Sequence, residues 1–301
     1  MLLNNKTIVI TGSNKGIGYA MIERLAQDHP TYDLIMAVRT VSNGEEALKK
    51  LAQTNPEASK RVRVEELDIS NSASIDKFVS RIGNIDVLVN NAAIAAKGGN
   101  FDAQVVQETF QTNFYGAIEL SEKLIPNINR NGKIITVGSL TGNPSRLTSD
   151  QLRSSFNDPN LTKSQLFDLA KLFYDSVVDG TFTEKGFVRQ DYVMSKLFLN
   201  TYNRVLSQQI EVQDKNIQVY SYCPGWCRTD MAGDKATYSA EEGADTCAYL
   251  VDLPFEINKD FQGQLFHQRE IYYLDKLTIV FRENKFVCLP LNEGVEFKKC
   301  N

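Results

Sequence analysis

A tyrosine and a lysine lie four residues apart in the segment DYVMSKLFL, at positions 191–199. On a helix this spacing places Tyr192 and Lys196 on one face, one turn apart. The two side chains could simply form a hydrogen bond at the surface of the protein. Alternatively, the Lys196 ammonium could lower the pKa of the Tyr192 phenol and make it a general acid that works near neutral pH. Other polar residues of the chain decide between these interpretations.

A glycine-rich loop, TGSNKGIG, occupies positions 11–18, after a short apolar strand and before a helix. In this context Gly12 permits a tight turn, Gly16 lets the backbone approach a phosphate, and Gly18 lets the helix pack closely on the strand. The unpaired N–H groups and the dipole at the start of the helix favour a pyrophosphate. A plain turn is the alternative, but the strand–loop–helix context and the strand that follows favour a dinucleotide. Three further residues of this loop are candidate cofactor ligands: Asn14, Lys15 and Ile17.

The ends of the next strands indicate which dinucleotide is bound. The second strand ends with Arg39, where an acidic residue would accept a hydrogen bond from the ribose 2′-OH of NAD. A guanidinium binds a 2′-phosphate through charge-assisted hydrogen bonds, and Lys15 could add a second cation. A solvated surface pair is the alternative, but we predict NADPH or NADP+ as the cofactor. Asp68 and Ile69 end the third strand, where Asp68 could accept from the adenine amino group.

Apolar runs alternate with helical patterns along most of the chain. The predicted strands are residues 6–11, 32–39, 61–70, 85–93, 132–140 and 217–225, and the predicted helices are 14–28, 44–53, 72–82 and 105–128. The strands are apolar on both faces, which predicts a doubly wound parallel α/β sheet of the Rossmann type with helices on both sides. Such a sheet binds its ligand at the carboxyl ends of its strands. Asn91, in the segment NNAA, lies at one of these ends, where small residues let the adenosine approach the backbone.

Two stretches fall outside this alternation. Residues 143–190 contain one or two predicted helices, and we interpret them as a helical insertion. Residues 276–301 form a C-terminal extension with a possible hairpin, whereas residues 1–275 form one domain. The extension holds none of the candidate site residues, so we expect it to be dispensable for the chemistry.

Composition excludes several classes of protein. The chain has 301 residues and a net charge of −4, with no basic patch that would indicate nucleic acid. No apolar run approaches the length of about 18 residues that spans a bilayer. Five scattered cysteines and two histidines form no metal-binding set. We therefore expect reduced thiols, no metal site, and a cytoplasmic protein.

Two further polar residues complete a catalytic pattern behind the glycine loop: Asn113 in TNFYG and Ser139 in TVGSL. With Tyr192 and Lys196 they make the chain resemble the short-chain dehydrogenase/reductase superfamily, from about residue 6 to residue 275. The segment YVMSK is similar to the YxxxK motif of the family, and NNAA to its NNAG. The family's PG-x-x-x-T segment is matched by three residues, Pro224, Gly225 and Thr229. The segment CPGWCRTDMAGDKATYSAEEGADT resembles the NADPH-dependent carbonyl reductases of this family.

The residue types suit the reduction of a ketone or an aldehyde, which needs a hydride on carbon and a proton on oxygen. Tyr192 would supply the proton, and Lys196 would lower its pKa and hold the nicotinamide ribose. Ser139 would donate a hydrogen bond to the carbonyl oxygen as charge develops on it. The resemblance further implies that Asn113 orients a water that links Lys196 to solvent. Tyr192 and Lys196 therefore count as both catalytic and cofactor-binding residues.

The substrate pocket is predicted from the residues that follow the fifth and sixth strands. Leu140, Trp226 and Met231 would form an apolar slot beside Ser139, suited to aromatic or conjugated carbonyls and quinones. Core packing is the alternative for Trp226. By resemblance, the insertion at 143–190 covers the surface that other family members use to form tetramers, which implies a monomer; a mobile substrate lid is a compatible alternative.

Two other functions are compatible with the same fold. The chain could be a non-catalytic subunit or scaffold that docks through its C-terminal extension, although all four polar residues of the catalytic pattern are present. It could also be an alcohol dehydrogenase that works in the oxidative direction. Arg39 argues against this second alternative, because NADPH pools mainly drive reductions.

Overall fold

The computed structural model describes residues 5–96, 99–254, 261–273, 277–282 and 285–290. Eight strands form the main sheet, and their bounds are β1 (Thr7–Thr11), β2 (Asp33–Val38), β3 (Val62–Glu66), β4 (Ile85–Asn90), β5 (Ile128–Val137), β6 (Gln218–Cys223), β7 (Leu265–His267) and β8 (Glu270–Tyr272). Their order in the sheet is β3-β2-β1-β4-β5-β6-β7-β8. All neighbouring pairs from β3 to β7 are parallel, and only β8 runs antiparallel to its neighbour β7.

The chain order reverses direction between β1 and β4, which is the switch point where a doubly wound sheet opens its binding crevice. The first six strands follow the predicted sequence of strands closely. The central strands are buried on both faces of the sheet, and β6 is buried along its whole length. The edge strand β3 is largely exposed or half-buried. The predicted α/β fold with a Rossmann-type parallel sheet is therefore confirmed.

Helices cover both faces of this sheet. One layer contains α1 (Gly16–Asp28), α2 (Val41–Thr54), α3 (Pro56–Ser59) and α11 (Ala240–Asp252). The opposite layer contains α4 (Ser72–Arg81), α5 (Ala103–Phe110), α6 (Ala117–Leu124), α7 (Asp150–Asn157), α8 (Lys163–Val178), α9 (Asp191–Ser207) and the short α10 (Ile210–Asp214). The buried apolar side chains of the described residues form two hydrophobic clusters, one on each face of the sheet.

The helix predicted over residues 105–128 is interrupted. Between α5 and α6 the residues Gln111–Gly116 form a π-helical turn, and a 3-10 turn at Ile125–Asn127 follows α6. Gly116 lies so close to the β3–α4 connection that a Cβ atom there would be 1.9 Å from the Ile69 carbonyl oxygen. Isolated π turns are frequent at functional sites, and this one contains Asn113.

The stretch 143–190 contains a 3-10 turn, Pro144–Arg146, followed by α7 and α8. Helix α8 packs against α5 and α9. A polar contact joins its first turn to the underlying helices: the Lys163 Nζ atom lies 2.6 Å from Glu122 Oε2, and Tyr202 Oη donates to Glu122 Oε1 at 2.9 Å. Burial raises the pKa of the Tyr202 phenol, and the neighbouring Glu122 carboxylate adds to this.

A buried lysine connects the sheet to α11. Lys133, on β5, donates to the carbonyl oxygens of Leu250, Val251 and Leu253 at 2.7–2.8 Å. It thereby supplies hydrogen-bond donors to carbonyl groups at the C-terminus of α11, which lack partners within the helix. Burial lowers the pKa of Lys133 to about 7, with the nearby Lys6 ammonium adding to this effect. The three carbonyl acceptors oppose that effect because they stabilise the ammonium.

The C-terminal extension contains two strands, β9 (Leu277–Arg282) and β10 (Lys285–Pro290), which pair antiparallel. The backbone of β9 lies beside the turn Pro144–Arg146. The predicted domain boundary at residue 275 and the end of the extension, 291–301, lie outside the described residues. Within the part of the chain that is described, no helix has the length and apolar character needed to cross a membrane.

Candidate active site

The glycine loop lies directly against the end of β4. Gly12 has φ +64°, and a Cβ atom there would be 2.9 Å from the Cα atom of Ala92. A Cβ atom on Gly18 would be 2.5 Å from Asn91 Nδ2. The Asn91 amide donates to the carbonyl oxygens of Thr11 and Gly12 at 2.8 and 3.2 Å. The side chain of Asn91 therefore holds the glycine loop in place, a role that the sequence did not indicate.

The glycine loop also faces the loop that follows β6. Gly16 has φ +56°, and a Cβ atom there would lie 3.2 Å from Thr229 Cγ2. Helix α1 begins at Gly16, and no side chain caps its N-terminus. The start of α1 therefore presents uncapped backbone N–H groups, and the positive φ of Gly16 and the close Thr229 methyl group both favour glycine there, as is typical of a pyrophosphate-binding loop.

Arg39 and Asp68 line one polar cavity of about 310 Å³ at the ends of β2 and β3. Its other lining residues are Glu66, Asn71, Ala73, Ser74, Lys77 and Arg81. Lys77 and Arg81 are cations that the sequence analysis missed, because α4 carries no motif. The prediction of Lys15 as a second cation beside Arg39 has no support here, since the Lys15 Nζ atom lies 2.7 Å from Asp230 Oδ2.

Tyr192 and Lys196 lie on one face of α9, as their spacing predicts. The Lys196 Nζ atom is 5.7 Å from the centroid of the Tyr192 ring and donates to the carbonyl oxygen of Val137 at 2.7 Å. Lys196 is 2% exposed. Burial lowers the pKa of Lys196 to about 8, and the neighbouring Cys223 partly offsets this shift.

The expected lowering of the Tyr192 pKa is wrong for this structure. Burial raises the pKa of the Tyr192 phenol above its ordinary value, and Cys223 and Cys227 raise it further. Desolvation disfavours the charged phenolate, and the Lys196 ammonium is directed to a backbone carbonyl rather than to the phenol. Tyr192 is therefore a neutral hydrogen-bond donor at physiological pH.

Ser139 lies in a short loop at the end of β5. Its Oγ atom is 2.8 Å from Thr141 Oγ1 and accepts a hydrogen bond from the Thr141 N–H at 3.2 Å. Asn200, on α9, donates to the carbonyl oxygens of Ser139 and Gly142 at 2.8 and 2.9 Å. Asn200 therefore fixes the backbone on which the Ser139 hydroxyl is mounted.

Asn200 is not among the residues predicted from the sequence, although a signal was present. Tyr192, Lys196 and Asn200 follow each other at intervals of four residues, which places all three on one helical face. The position of Asn200 also explains why residue 138 is glycine, because a Cβ atom there would lie 2.1 Å from Asn200 Oδ1. The loop thus approaches α9 more closely than any residue but glycine permits.

Asn113 lies in the π turn and is buried. Its side-chain oxygen accepts from the Ile94 N–H at 2.8 Å, and its amide donates to the Ile94 carbonyl oxygen at 2.8 Å and to Ser195 Oγ at 3.1 Å. The side chain therefore connects the strand end after β4 with α9. A contact of Asn113 with a relay water stays a prediction.

The four residues predicted to line the substrate slot have different environments. Ser139 and Trp226 are half-buried, and Met231 is 45% exposed. Leu140 is 2% exposed, so it supports the loop from the interior and does not line an open slot. A larger cavity, of about 460 Å³, lies beside the segment that follows β6, and Cys223 and Pro224 form part of its wall.

No group of three or more His, Cys, Asp or Glu side chains among the described residues is arranged to hold a metal ion. Three described cysteines, Cys223, Cys227 and Cys247, are buried free thiols. Burial raises the pKa of Cys227 and that of Cys247 to about 12. These two thiols are therefore protonated at neutral pH.

Comparisons with known proteins agree with this geometry. The family model for short chain dehydrogenase matches residues 6–149. Carbonyl reductase (NADPH) 1 of Mus musculus is 33% identical over 255 residues, which cover 82% of this chain and 90% of that protein. The human protein of the same name is also 33% identical, with the same coverage.

Solved structures show the same fold. Salutaridine reductase from Papaver somniferum superimposes with a TM-score of 0.75 at 24% identity, covering 87% of this chain and 99% of that one. The carbonyl reductase Sniffer of D. melanogaster superimposes with a TM-score of 0.61 at 20% identity, covering 88% and 97%. The chain belongs to the short-chain dehydrogenase/reductase family and, within it, is similar to the carbonyl reductases.

We expect Asn200→Ala to lower kcat of the dehydrogenase/reductase reaction roughly tenfold, because two buried hydrogen bonds to the Ser139 loop are lost. Asn203→Ala is a matched control: Asn203 is also a buried asparagine of α9, but it accepts from Thr136 Oγ1 at 3.0 Å and does not contact the loop. Both variants should be less stable in urea, and only Asn200→Ala should lose turnover per folded molecule. Equal kcat in the two variants would contradict the positioning role.

Proposed function

We propose that this chain reduces small-molecule ketones, aldehydes and quinones to alcohols with NADPH as the hydride donor. The observation that carries the proposal is the buried Lys196 ammonium, 5.7 Å from the Tyr192 ring at the carboxyl end of β5. A buried cation beside a phenol, at the carboxyl ends of the strands of a doubly wound sheet, suits acid catalysis next to a dinucleotide. The similarity to proteins named carbonyl reductase (NADPH) supports the same activity.

The glycine loop fits the cofactor, because Gly12 and Gly16 have positive φ values, close packing excludes a Cβ atom at Gly12 and Gly18, and no side chain caps the start of α1. We propose that the cofactor is held by Gly12, Asn14, Lys15, Gly16, Ile17, Gly18, Arg39, Asp68, Ile69, Asn91, Tyr192, Lys196, Pro224, Gly225 and Thr229. When bound, NADPH supplies the hydride to the carbonyl carbon. Arg39, which is exposed at the edge of its polar cavity, would bind the 2′-phosphate.

Tyr192 donates the proton to the carbonyl oxygen. A phenol is protonated at neutral pH, and burial raises the pKa of Tyr192 further, so the proton is in place before the hydride arrives. The oxygen that receives the proton becomes an alkoxide-like group as the hydride arrives, and an alkoxide is more basic than a phenolate. The transfer is therefore favourable even from a phenol of raised pKa, and the Lys196 ammonium stabilises the phenolate that forms.

Ser139 donates a second hydrogen bond to the same oxygen. For this its hydroxyl turns away from Thr141, whose Oγ1 atom is 2.8 Å away. The bonds from Asn200 keep the Ser139 backbone fixed while the hydroxyl turns. Because the backbone that carries the hydroxyl is already fixed, only the rotation of the hydroxyl is needed before it stabilises the developing charge.

The substrate would lie between Ser139 and the segment that contains Trp226 and Met231. Both of these side chains are accessible enough to contact a ligand, with Met231 exposed and Trp226 half-buried. An indole and a thioether favour flat, conjugated carbonyl compounds. A panel of quinones, aromatic aldehydes and α-dicarbonyls with NADPH, followed at the nicotinamide absorbance, tests the proposal. No turnover with any of them would leave the scaffold alternative as the better explanation.

A scaffold that docks through the C-terminal extension is the second candidate. The observation that favours it is the hairpin of β9 and β10, which adds a separate two-stranded sheet to the family fold. A scaffold would not need the hydrogen bonds that hold Lys196, Asn200 and the Ser139 loop together. We therefore give priority to the reductase, with residues 1–275 as the catalytic domain.

Tyr192→Phe should lower kcat by about 10² to 10⁴, because a positioned general acid contributes that factor. The ring is retained, so NADPH affinity, measured by fluorescence titration, should change little. Tyr202→Phe is the control, because it also removes a buried phenol of α9 but one that bonds Glu122 and lies outside the site. Near-normal turnover in Tyr192→Phe would show that another group donates the proton.

Arg39→Asp should shift the preference from NADPH toward NADH. The substitution removes a charge-assisted contact, worth about tenfold in affinity, and the new carboxylate can accept from a ribose 2′-OH. The effect should appear in KM rather than kcat, since the 2′ position is remote from the reacting carbon. The measurement is kcat/KM for both cofactors at one ionic strength.

Two neutral variants separate the roles of the candidate cations. Arg39→Gln should reduce the NADPH preference more than Lys15→Gln, because Lys15 pairs with Asp230. An unchanged preference in Arg39→Asp would mean that Arg39 is only a solvated surface group. A larger effect of Lys15→Gln would mean that its pair with Asp230 opens when the cofactor binds.

We further propose that the protein is a monomer in a reducing compartment such as the cytoplasm. Helix α8 covers α5 and α9, the surface that tetrameric members of the family are expected to share. The buried free thiols are compatible with reducing conditions. Light scattering should give a mass near the 33.9 kDa of one chain. A mass four times larger would show that the insertion leaves the tetramer surface open.

A further inference from the structure

The loop formed by residues 224–238, here called the Trp226 loop, lies beside the larger cavity. The cavity measures about 460 Å³, and Pro224 and Tyr238 form its wall on the side of the loop. On the opposite side it is lined by His267, Gln268 and Arg269, from the region where β7 turns into β8. Because a cavity of this size separates the Trp226 loop from the β7–β8 turn, packing alone does not fix the face of the loop that is directed toward this turn.

Tyr238 is the residue that braces the Trp226 loop from within. Its N–H donates to the Trp226 carbonyl oxygen at 2.9 Å, and its own carbonyl oxygen accepts from the Arg228 N–H at 2.8 Å. Its ring lies over Gly225, where φ is +82° and a Cβ atom would be 2.6 Å from Tyr238 Cδ2. A shift of Tyr238 would therefore move the backbone on both sides of Trp226, at Gly225 and at Arg228.

The β7–β8 turn is firmly anchored on its other side. Arg269 forms two contacts with the Asp245 carboxylate of α11, Nε to Oδ2 at 2.7 Å and Nη2 to Oδ1 at 2.5 Å. Its backbone N–H donates to Thr246 Oγ1 at 3.2 Å. A His267 ring nitrogen, Nδ1, lies 3.1 Å from the Cys223 carbonyl oxygen, at the point where the Trp226 loop leaves β6.

The turn holds an unfavourable backbone conformation. Gln268 and Arg269 have φ angles of 50° and 66°, and neither is glycine. Two-residue hairpin turns with positive φ at both positions strongly favour Asn-Gly or Gly-Gly, because other residues are strained there. A strained conformation that persists next to a site is a reason to look for a role of the side chains, and Arg269 already has one in its contacts with α11.

The side chain of Gln268 crosses from the turn to the Trp226 loop. Its Nε2 atom donates to Tyr238 Oη at 3.2 Å. We propose that Gln268 is a positioning residue, which holds the Trp226 loop in place for substrate through Tyr238. The effect on turnover rests on the proposed reductase function, but the effect on the loop does not.

The chain has one tryptophan, Trp226, so its fluorescence reports on this loop alone. Acrylamide quenching and the emission maximum can be measured on the full chain without cofactor or substrate. Gln268→Ala and Tyr238→Phe should both raise the quenching constant, since each removes one partner of the same hydrogen bond. The double variant should show no further increase. Unchanged quenching in both single variants would overturn the proposal, whether or not the protein is a reductase.

Gln268→Gly separates positioning from strain. Glycine tolerates the positive φ, so this variant should unfold at a higher urea concentration than Gln268→Ala, yet both lose the amide. If Gln268 positions the loop, the two variants should show the same increase in quenching. If the quenching followed stability instead, the residue would have only a structural role and the proposal would fail.

Kinetics give the second readout. Loss of one hydrogen bond should raise KM for a bulky aromatic carbonyl by about 2- to 12-fold, with kcat nearly unchanged and KM for NADPH unaffected. Gln208→Ala is the matched control, because Gln208 is another exposed glutamine, just after the end of α9, whose side chain donates to the Pro159 carbonyl oxygen at 3.1 Å. A KM that rises equally in the control, or not at all in Gln268→Ala, would contradict the positioning role.

Discussion

A buried ammonium group must be bonded to something, and in this protein the Lys196 ammonium is bonded to the Val137 carbonyl oxygen. This one contact ties α9 to the carboxyl end of β5, the neighbour of β4, which borders the switch point of the sheet. Tyr192 lies one turn before Lys196 on the same face, and Asn200 lies one turn after it. The orientation of all three side chains therefore depends on the hydrogen bond that compensates the burial of the Lys196 ammonium group.

The buried environment of Lys196 also affects the protonation state of Tyr192. Burial disfavours charge on both groups, so the pKa of the lysine falls while that of the phenol rises. The pair is thus biased toward the phenol with its proton in place, ready to donate it. A site of this kind does not need a phenol of low pKa, because the proton leaves only when a stronger base forms beside it.

The sequence was sufficient for the features that local pattern determines. The alternation of apolar runs and helices predicted the sheet, and the loop at 11–18 and the pair Tyr192 and Lys196 predicted the cleft. Contacts between distant segments could not be predicted, because spacing carries no information about them. The Lys15–Asp230 pair joins residues far apart in the chain, and the three carbonyl oxygens that surround Lys133 belong to another element. Strands as short as β7 and β8 have too few residues to show a period, so only the structure reveals them.

The antiparallel strand β8 has a consequence for the solubility of the fold. A parallel sheet that ended at β7 would present a row of unpaired backbone groups to other chains, and such edges promote aggregation. Here the chain folds back through the turn at Gln268 and Arg269 and pairs three residues against β7. Because β8 is itself so short, it offers little template for a foreign strand. The same strained turn that contacts the Trp226 loop therefore also leads into the last strand of the sheet among the described residues. A mutation there would favour self-association of the protein and would also disorder the Trp226 loop.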